Sequence, residues 1–144
     1  MIFPAVAFTV ALAGSHSAWA GSNAPCRRYE RDSLEFRGQV VRRVYPGRPN
    51  YESVRRGDAP DTVYVLRLAM PICMAESELG LARKDVRELQ LYFSRDDESA
   101  IRGMNGQTVQ IPGTLEEWRY GWHHLPVLLH VRGLHRSAPA RRAV

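Results

Sequence analysis

The sequence feature that most constrains the fold is an alternation of apolar residues with a period of two over residues 62–70. One side of an extended chain would there hold Tyr64, Leu66, Leu68 and Met70. A period of two is typical of a strand with one face in a core. We predict a strand over 62–70 that ends at Pro71, because proline lacks the N–H that a sheet requires.

Four further segments are predicted as strands: 33–44, 86–93, 107–115 and 127–131. Gly38 interrupts the alternation of the first of these and predicts a bulge. Ser94, followed by acidic residues at 96–98, predicts a short helix with a hydroxyl N-cap that stops at Gly103. The order β-β-β-α-β-β predicts an all-β fold with one short helix, a five-stranded barrel of the oligonucleotide/oligosaccharide-binding (OB) type.

In an OB barrel the loops between strands 1 and 2 and between strands 4 and 5 border the binding face. The first of these segments, 45–60, is rich in proline and glycine, which is typical of a long loop. Its candidate ligand-binding residues are Asn50, Tyr51, Glu52, Arg55 and Asp58. The alternative is that these side chains tie the loop together by hydrogen bonds to its own backbone.

The second segment, 116–126, is unusual for a loop because it concentrates aromatic and imidazole groups. Its candidate ligand-binding residues are Trp118, Tyr120, Trp122, His123 and His124. A lid that packs its own aromatic side chains over a small core is the alternative.

The two ends of the chain are predicted to lie outside the barrel. Residues 1–20 contain no charged side chain and end in Ala18-Trp19-Ala20, an A-x-A cleavage signal, so we predict a removed signal peptide and a periplasmic or secreted protein. No lysine or arginine precedes the apolar run. The barrel domain is assigned to 21–133, without a membrane span, and the small basic segment 134–144 is predicted to be disordered.

The predicted compartment determines how the two cysteines are interpreted. Cys26 and Cys73 are predicted to form a disulfide, because export places them in an oxidising environment and no C-x-x-C motif is present. The formal net charge of +5 would suit an acidic partner but does not identify one.

Several segments resemble an uncharacterised bacterial family of small, often exported domains that is classed as a domain of unknown function. They are YPGRPNYESVRRGD at 45–58, PIC at 71–73, GTL at 113–115, and the His123-His124 pair with PVLL at 126–129. The resemblance implies a small barrel and brings no established activity. Where the family usually carries three histidines followed by threonine, this chain has Trp122 before the pair and Leu125 after it.

His123 and His124 are candidate metal ligands as a minor alternative, against which neighbouring strand residues point to opposite faces and no spacing such as H-x-x-x-H is present. We expect no cofactor. Glu52 and Ser53 lack the context of a nucleophile elbow or an ordered triad, so we expect no enzyme. Arginines near the first loop could bind a nucleic acid strand, but export argues against that partner.

Two functions are therefore predicted. The first is an exported module that binds a saccharide, a cell-wall fragment or another small anionic ligand through the two loops. The second is a protein-interaction module, such as an inhibitor or accessory subunit, which would use the same aromatic residues as hot spots on a periplasmic protein.

Overall fold

The computed structural model describes residues 25–31 and 33–134. Within them the strands are β1 (Leu34–Pro46), β2 (Pro60–Met74), β3 (Arg83–Tyr92), β4 (Thr108–Glu117) and β5 (Val127–Val131), and the helix α1 is Glu98–Gly103. They close into a barrel in the order β1-β2-β3-β5-β4, in which β3 and β5 are parallel and the other four pairs antiparallel. The predicted all-β fold, a five-stranded OB-like barrel with one short helix, is confirmed.

Alternate residues of each strand fill the barrel. Val40, Leu66, Leu89, Ile111 and Leu129 are each completely buried, one from every strand. Full burial of such a side chain contributes about 1.5–3 kcal/mol relative to leaving it in water. The period-two pattern of the sequence therefore reports the inward face of the barrel.

β2 does not end at Pro71, as predicted, but continues to Met74. Its pairing with β3 shifts register between Arg67 and Ile72, and its pairing with β1 reaches only to Leu68. Pro71 lies in the interval that pairs with neither neighbour. The absence of its N–H removes no ladder hydrogen bond there, and the strand tolerates it.

The predicted bulge at Gly38 is wrong, because the pairing of β1 with β4 runs through this residue without a register shift, and the pairing of β1 with β2 ends at it, also in register. Gly38 pairs with Leu68 on one side and Val109 on the other. A Cβ at position 38 would lie 2.8 Å from the carbonyl carbon of Arg67. The glycine is needed for the close approach of β2 and not for an extra residue.

The start of α1 also differs from the prediction. A 3₁₀ turn over Arg95–Asp97 precedes the helix, and the Ser94 side chain makes no cap hydrogen bond to the backbone. Its hydroxyl instead donates to Oδ2 of Asp97 at 2.8 Å. The predicted hydroxyl N-cap is therefore wrong, since the Ser94 hydroxyl binds the Asp97 side chain and not the backbone of the helix.

A segment before β1 completes the core. The predicted disulfide between Cys26 and Cys73 is present, with a Cα–Cα distance of 4.7 Å. Next to it, the Arg27 N–H donates to the Cys73 carbonyl at 2.8 Å. Tyr29 is 1% exposed and its hydroxyl donates to the Leu81 carbonyl at 3.0 Å. Burial, followed by the neighbouring Glu117, raises the pKa of Tyr29 to about 12, so the ring acts as a neutral core residue.

The predicted signal peptide, 1–20, and residues 135–144 of the predicted tail lie outside the described residues. Leu134, which was assigned to that tail, packs against the hydrophobic core. Among the residues described here, no helix has the length and apolar character needed to cross a membrane.

Candidate functional site

The first loop (residues 47–59) is organised by the carboxylate of Asp58. Its Oδ1 accepts the backbone N–H of Asn50 at 2.9 Å, and its Oδ2 accepts those of Glu52 and Ser53 at 2.8 and 2.7 Å. The Asn50 side-chain amide adds a fourth hydrogen bond at 3.2 Å. The hydrogen bond from Ser53, then that from Asn50, keeps the pKa of Asp58 below its ordinary value.

These contacts assign a structural role to part of the predicted site. Asp58 is buried and its acceptors are directed into the loop, as the alternative interpretation of this segment required. The exposed carboxylate of Glu52 accepts a hydrogen bond from the Arg56 guanidinium at 3.1 Å, and Arg55 is exposed on the same short 3₁₀ turn, Val54–Arg56. Tyr51, by contrast, faces the loop between β4 and β5, since a Cβ at Gly121 of that loop would lie 3.3 Å from the Tyr51 ring.

The aromatic loop (residues 118–126) folds back over the outside of the barrel. Directly paired residues of neighbouring strands share a face, and the pairs Val65↔Gln90 and Gln90↔Leu128 form one row across β2, β3 and β5. This row faces away from the core, because Leu89 and Leu91 face inward. Its members are nevertheless only 0%, 5% and 1% exposed, and the aromatic loop is hydrogen-bonded to the central one, Gln90.

Gln90 fastens the loop to this outer row. Its Oε1 accepts the backbone N–H of His124 at 2.7 Å and that of Leu125 at 3.1 Å, while its Nε2 donates to the Trp122 carbonyl at 3.2 Å. One buried amide thus satisfies three backbone groups that would otherwise be left without partners beneath the loop. The lid interpretation is supported for this inner side of the loop.

His124 belongs to the same inner side. Its side chain is 8% exposed, its ring stacks on Tyr45 at a centroid distance of 4.6 Å, and its Nε2 lies 2.7 Å from Oδ2 of Asp61. Tyr45, near the end of β1, is paired with Asp61, near the start of β2, where the first loop joins the two strands. His124 therefore joins the aromatic loop to the base of the first loop and offers little surface to a ligand.

His123 lies on the outer side and is surrounded by rings. It makes edge-to-face contacts with Tyr120, Trp122 and Tyr92 at centroid distances of 5.6, 5.7 and 6.1 Å. Its Nδ1 accepts the backbone N–H of Arg119 at 3.2 Å, which leaves the proton of the neutral ring on Nε2. Burial lowers its pKa, an effect that nearby Glu116 opposes and His124 reinforces.

Two clefts meet at Trp122. The aromatic cleft has a volume of about 430 Å³ and is lined by Glu30, Tyr92, Thr114, Glu116, Glu117, Arg119, Tyr120, Trp122, His123 and Arg132. The loop cleft has a volume of about 420 Å³ and is lined by Gly47, Arg48, Tyr51, Ala59, Pro60, Asp61 and Trp122. Both volumes are in the range of small-molecule sites. Because Trp122 lines both, the two clefts adjoin at this side chain.

The two predicted tryptophans differ in position. Trp122 is 46% exposed and stacks on Tyr120 at 4.7 Å, and both rings line the aromatic cleft. Trp118 is 49% exposed but lines neither cleft. Exposure alone therefore does not identify a ligand contact, and the pair offers a matched comparison.

Of the ten residues that line the aromatic cleft, only Tyr120, Trp122 and His123 were among the predicted ligand-binding residues. Tyr92 comes from β3, Glu116 from β4, and Glu30 from the disulfide-bonded segment before β1, where it pairs with the Arg119 guanidinium. Glu116 is held by His130, whose Nδ1 lies 2.7 Å from its Oε1. The outward position of Tyr92 on an alternating strand is a signal that could have been read. The position of Glu30 depends on how the disulfide-bonded segment crosses the barrel.

The described residues contain no group of three or more histidine, cysteine, aspartate or glutamate side chains that could hold a metal ion. Comparisons of the chain with protein-family models, with curated proteins and with solved structures found no match. The resemblance to an uncharacterised exported family stays a prediction.

Proposed function

We propose that this protein is an exported saccharide-binding module and that a short oligosaccharide binds along the aromatic cleft and across Trp122 into the loop cleft. The observation that carries the proposal is the exposed stack of Tyr120 and Trp122 at the junction of the two clefts. The apolar C–H face of a pyranose packs on such rings, and the amphipathic aromatic side chains need little ordering.

The polar groups of the aromatic cleft suit hydroxyl groups. Carboxylates accept several hydrogen bonds and guanidinium groups donate several, so the ion pair between Glu30 and Arg119 can still bind a sugar hydroxyl from either side. The pair is half-exposed and is fixed by the backbone hydrogen bond from Glu30 to the Leu115 carbonyl at 2.8 Å. Prearranged polar groups of this kind supply the orientation that stacking alone does not.

The charge of the aromatic cleft favours an uncharged saccharide over a polyanion. Its lining contains three carboxylates, from Glu30, Glu116 and Glu117, and two guanidinium groups, from Arg119 and Arg132. Phosphates would meet these carboxylates at close range, which opposes nucleic acid binding. The disulfide is consistent with an oxidising compartment, and a cell-wall glycan fragment is the saccharide that we expect to be available there.

Isothermal titration calorimetry with tetramers of N-acetylglucosamine, of β-linked glucose and of α-linked glucose tests this proposal. Trp122→Ala should weaken the preferred tetramer by about tenfold, as loss of a central stacked ring typically does. Trp118→Ala removes an equally exposed indole outside both clefts and should leave the affinity unchanged. Equal losses from both variants, or no binding of any tetramer, would overturn the assignment.

A protein partner is the second candidate function, and the exposure of Trp118 favours it. An indole that is 49% exposed and lines neither cleft is a typical anchor for a partner surface. A protein interface spanning the aromatic loop predicts that both Trp118→Ala and Trp122→Ala lose the same cross-linked partner in intact cells. This outcome differs from the saccharide proposal, in which Trp118 can be replaced without effect.

A further inference from the structure

A third cleft opens where β2 and β3 separate. Arg67 pairs with Glu88 and the next pair is Ile72 with Val86, so that four residues of β2 stand opposite the single residue Arg87 of β3. The gap, here called the β2–β3 cleft, has a volume of about 800 Å³. It is lined by Arg67, Leu68, Ala82, Arg83, Lys84, Asp85, Val86, Arg87, Glu88, Leu125 and Pro126.

The floor of this cleft is hydrocarbon. Leu68 and Val86 belong to the hydrophobic core or pack against it, so the gap leads from the surface directly to the core. Leu125 and Pro126, at the end of the aromatic loop, line the same cleft. No aromatic ring is among the lining residues, which disfavours the stacking that a sugar or a base would need. A flexible aliphatic chain matches these walls.

The rim of the cleft is cationic. Its lining has four basic side chains and two acidic ones, and both acids are already paired. Asp85 forms a salt bridge with Arg87 at 2.8 Å. Glu88 forms salt bridges with Arg43 and with Arg67, the latter at 3.6 Å. Arg83 is paired with Glu117, whereas Lys84 is exposed and has no ion-pair partner among the described residues. Lys84 and the guanidinium groups of Arg67 and Arg87, whose side chains are 53% and 66% exposed, therefore present positive charge to the cleft mouth. An anionic group at the mouth would complement it.

We propose that the β2–β3 cleft binds a free single-chain aliphatic carboxylate. The hydrocarbon chain lies on Leu68 and Val86 between β2 and β3, and the carboxylate lies at the mouth beside Lys84 and Arg87. The break in strand pairing makes the space, and the rim supplies the charge. Because the site uses neither Trp122 nor either of the other clefts, it does not depend on saccharide binding.

Titration calorimetry of the protein with butanoate, hexanoate and octanoate tests the apolar part. Each added CH₂ that enters the cleft should tighten binding by about three- to fourfold. Chemical shift changes of backbone amides should centre on Leu68, Val86 and Leu125. Equal affinity for all three carboxylates, or shift changes centred elsewhere, would overturn the proposal. Ala82→Trp, at an exposed lining position, should block octanoate without disturbing the fold.

The charged part is tested by the double variant Lys84→Gln/Arg87→Gln. Both positions are exposed, and the variant should bind octanoate about tenfold more weakly while its affinity for neutral octanol stays the same. Arg55→Gln/Arg56→Gln removes the same charge from the first loop and should bind octanoate like the unchanged protein. If the rim variant binds octanoate normally, or if octanol binds as tightly as octanoate, the anion site is refuted.

Discussion

Gln90 is the residue whose replacement most clearly tests how the aromatic loop is held. Gln90→Leu keeps nearly the same side-chain volume but removes the acceptor of the His124 and Leu125 N–H groups and the donor to the Trp122 carbonyl. A buried backbone group left without a partner costs about 1–3 kcal/mol. Detachment of the loop would let water satisfy the three groups, so the net loss should be about 2–4 kcal/mol, below the sum of the three separate costs.

Urea unfolding followed by tryptophan fluorescence measures the loss, and amide hydrogen exchange locates it. The N–H groups of His124 and Leu125 should exchange much faster in the variant, while β-strand amides on the far side of the barrel keep their protection relative to global unfolding. Gln110→Leu, an exposed position of β4, is the control and should change stability by less than about 0.5 kcal/mol. Equal stabilities of the two variants, with unchanged exchange in the loop, would refute the anchoring role of Gln90.

Three further predictions concern the barrel and its histidine. Reduction of the Cys26–Cys73 disulfide, which spans 47 residues, should lower the free energy of unfolding by about 4 kcal/mol in denaturant titrations with and without a reductant. Gly38→Ala should cost about 2–3 kcal/mol because its Cβ would meet β2 backbone, whereas Gly103→Ala, in open space, should cost less than about 0.5 kcal/mol in the same assay. The lowered pKa of His123 means that, as the pH falls, the unfolded chain takes up a proton at this residue before the folded protein does. The free energy of unfolding should therefore decrease as the pH drops below about 6.5. An NMR titration that gives the folded ring a pKa above 6.5 would contradict this.

Local patterns predicted most of the strands because their signal is contained in each segment. β5 occupies the predicted residues 127–131. The alternation of 62–70 correctly placed Tyr64, Leu66 and Leu68 on the inward face, but Met70, predicted on the same face, is 69% exposed because it lies in the interval where β2 leaves its neighbours. The register break over 68–71 could not be predicted, since it depends on which residues of β3 lie opposite. Pro71 then gave a false end to the strand, because its cost depends on that same pairing.

The sequence predicted which two loops carry the candidate site, but not which of their side chains are buried and which are exposed to a ligand. Gln90 has the outward position of an ordinary solvent-facing residue, and its burial follows from the fold-back of a loop far away in sequence. The adjacent residues His123 and His124 were indistinguishable until their rings were placed on opposite sides of that loop. Tyr29 shows the same limit, because its burial requires the glycine at position 80, where a Cβ would lie 2.5 Å from the tyrosine ring.

The proposed binding of saccharide around Trp122 is tested most directly by the NMR signals of the two indole N–H groups during titration with the preferred N-acetylglucosamine or glucose tetramer. The proposal predicts that the Trp122 indole signal shifts and saturates together with the Tyr92 and Arg119 amides. The Trp118 indole signal, from outside both clefts, should stay in place. A saturable shift of Trp118 with an unmoved Trp122 would contradict the proposed site, and an absence of shifts from both would contradict saccharide binding by this face.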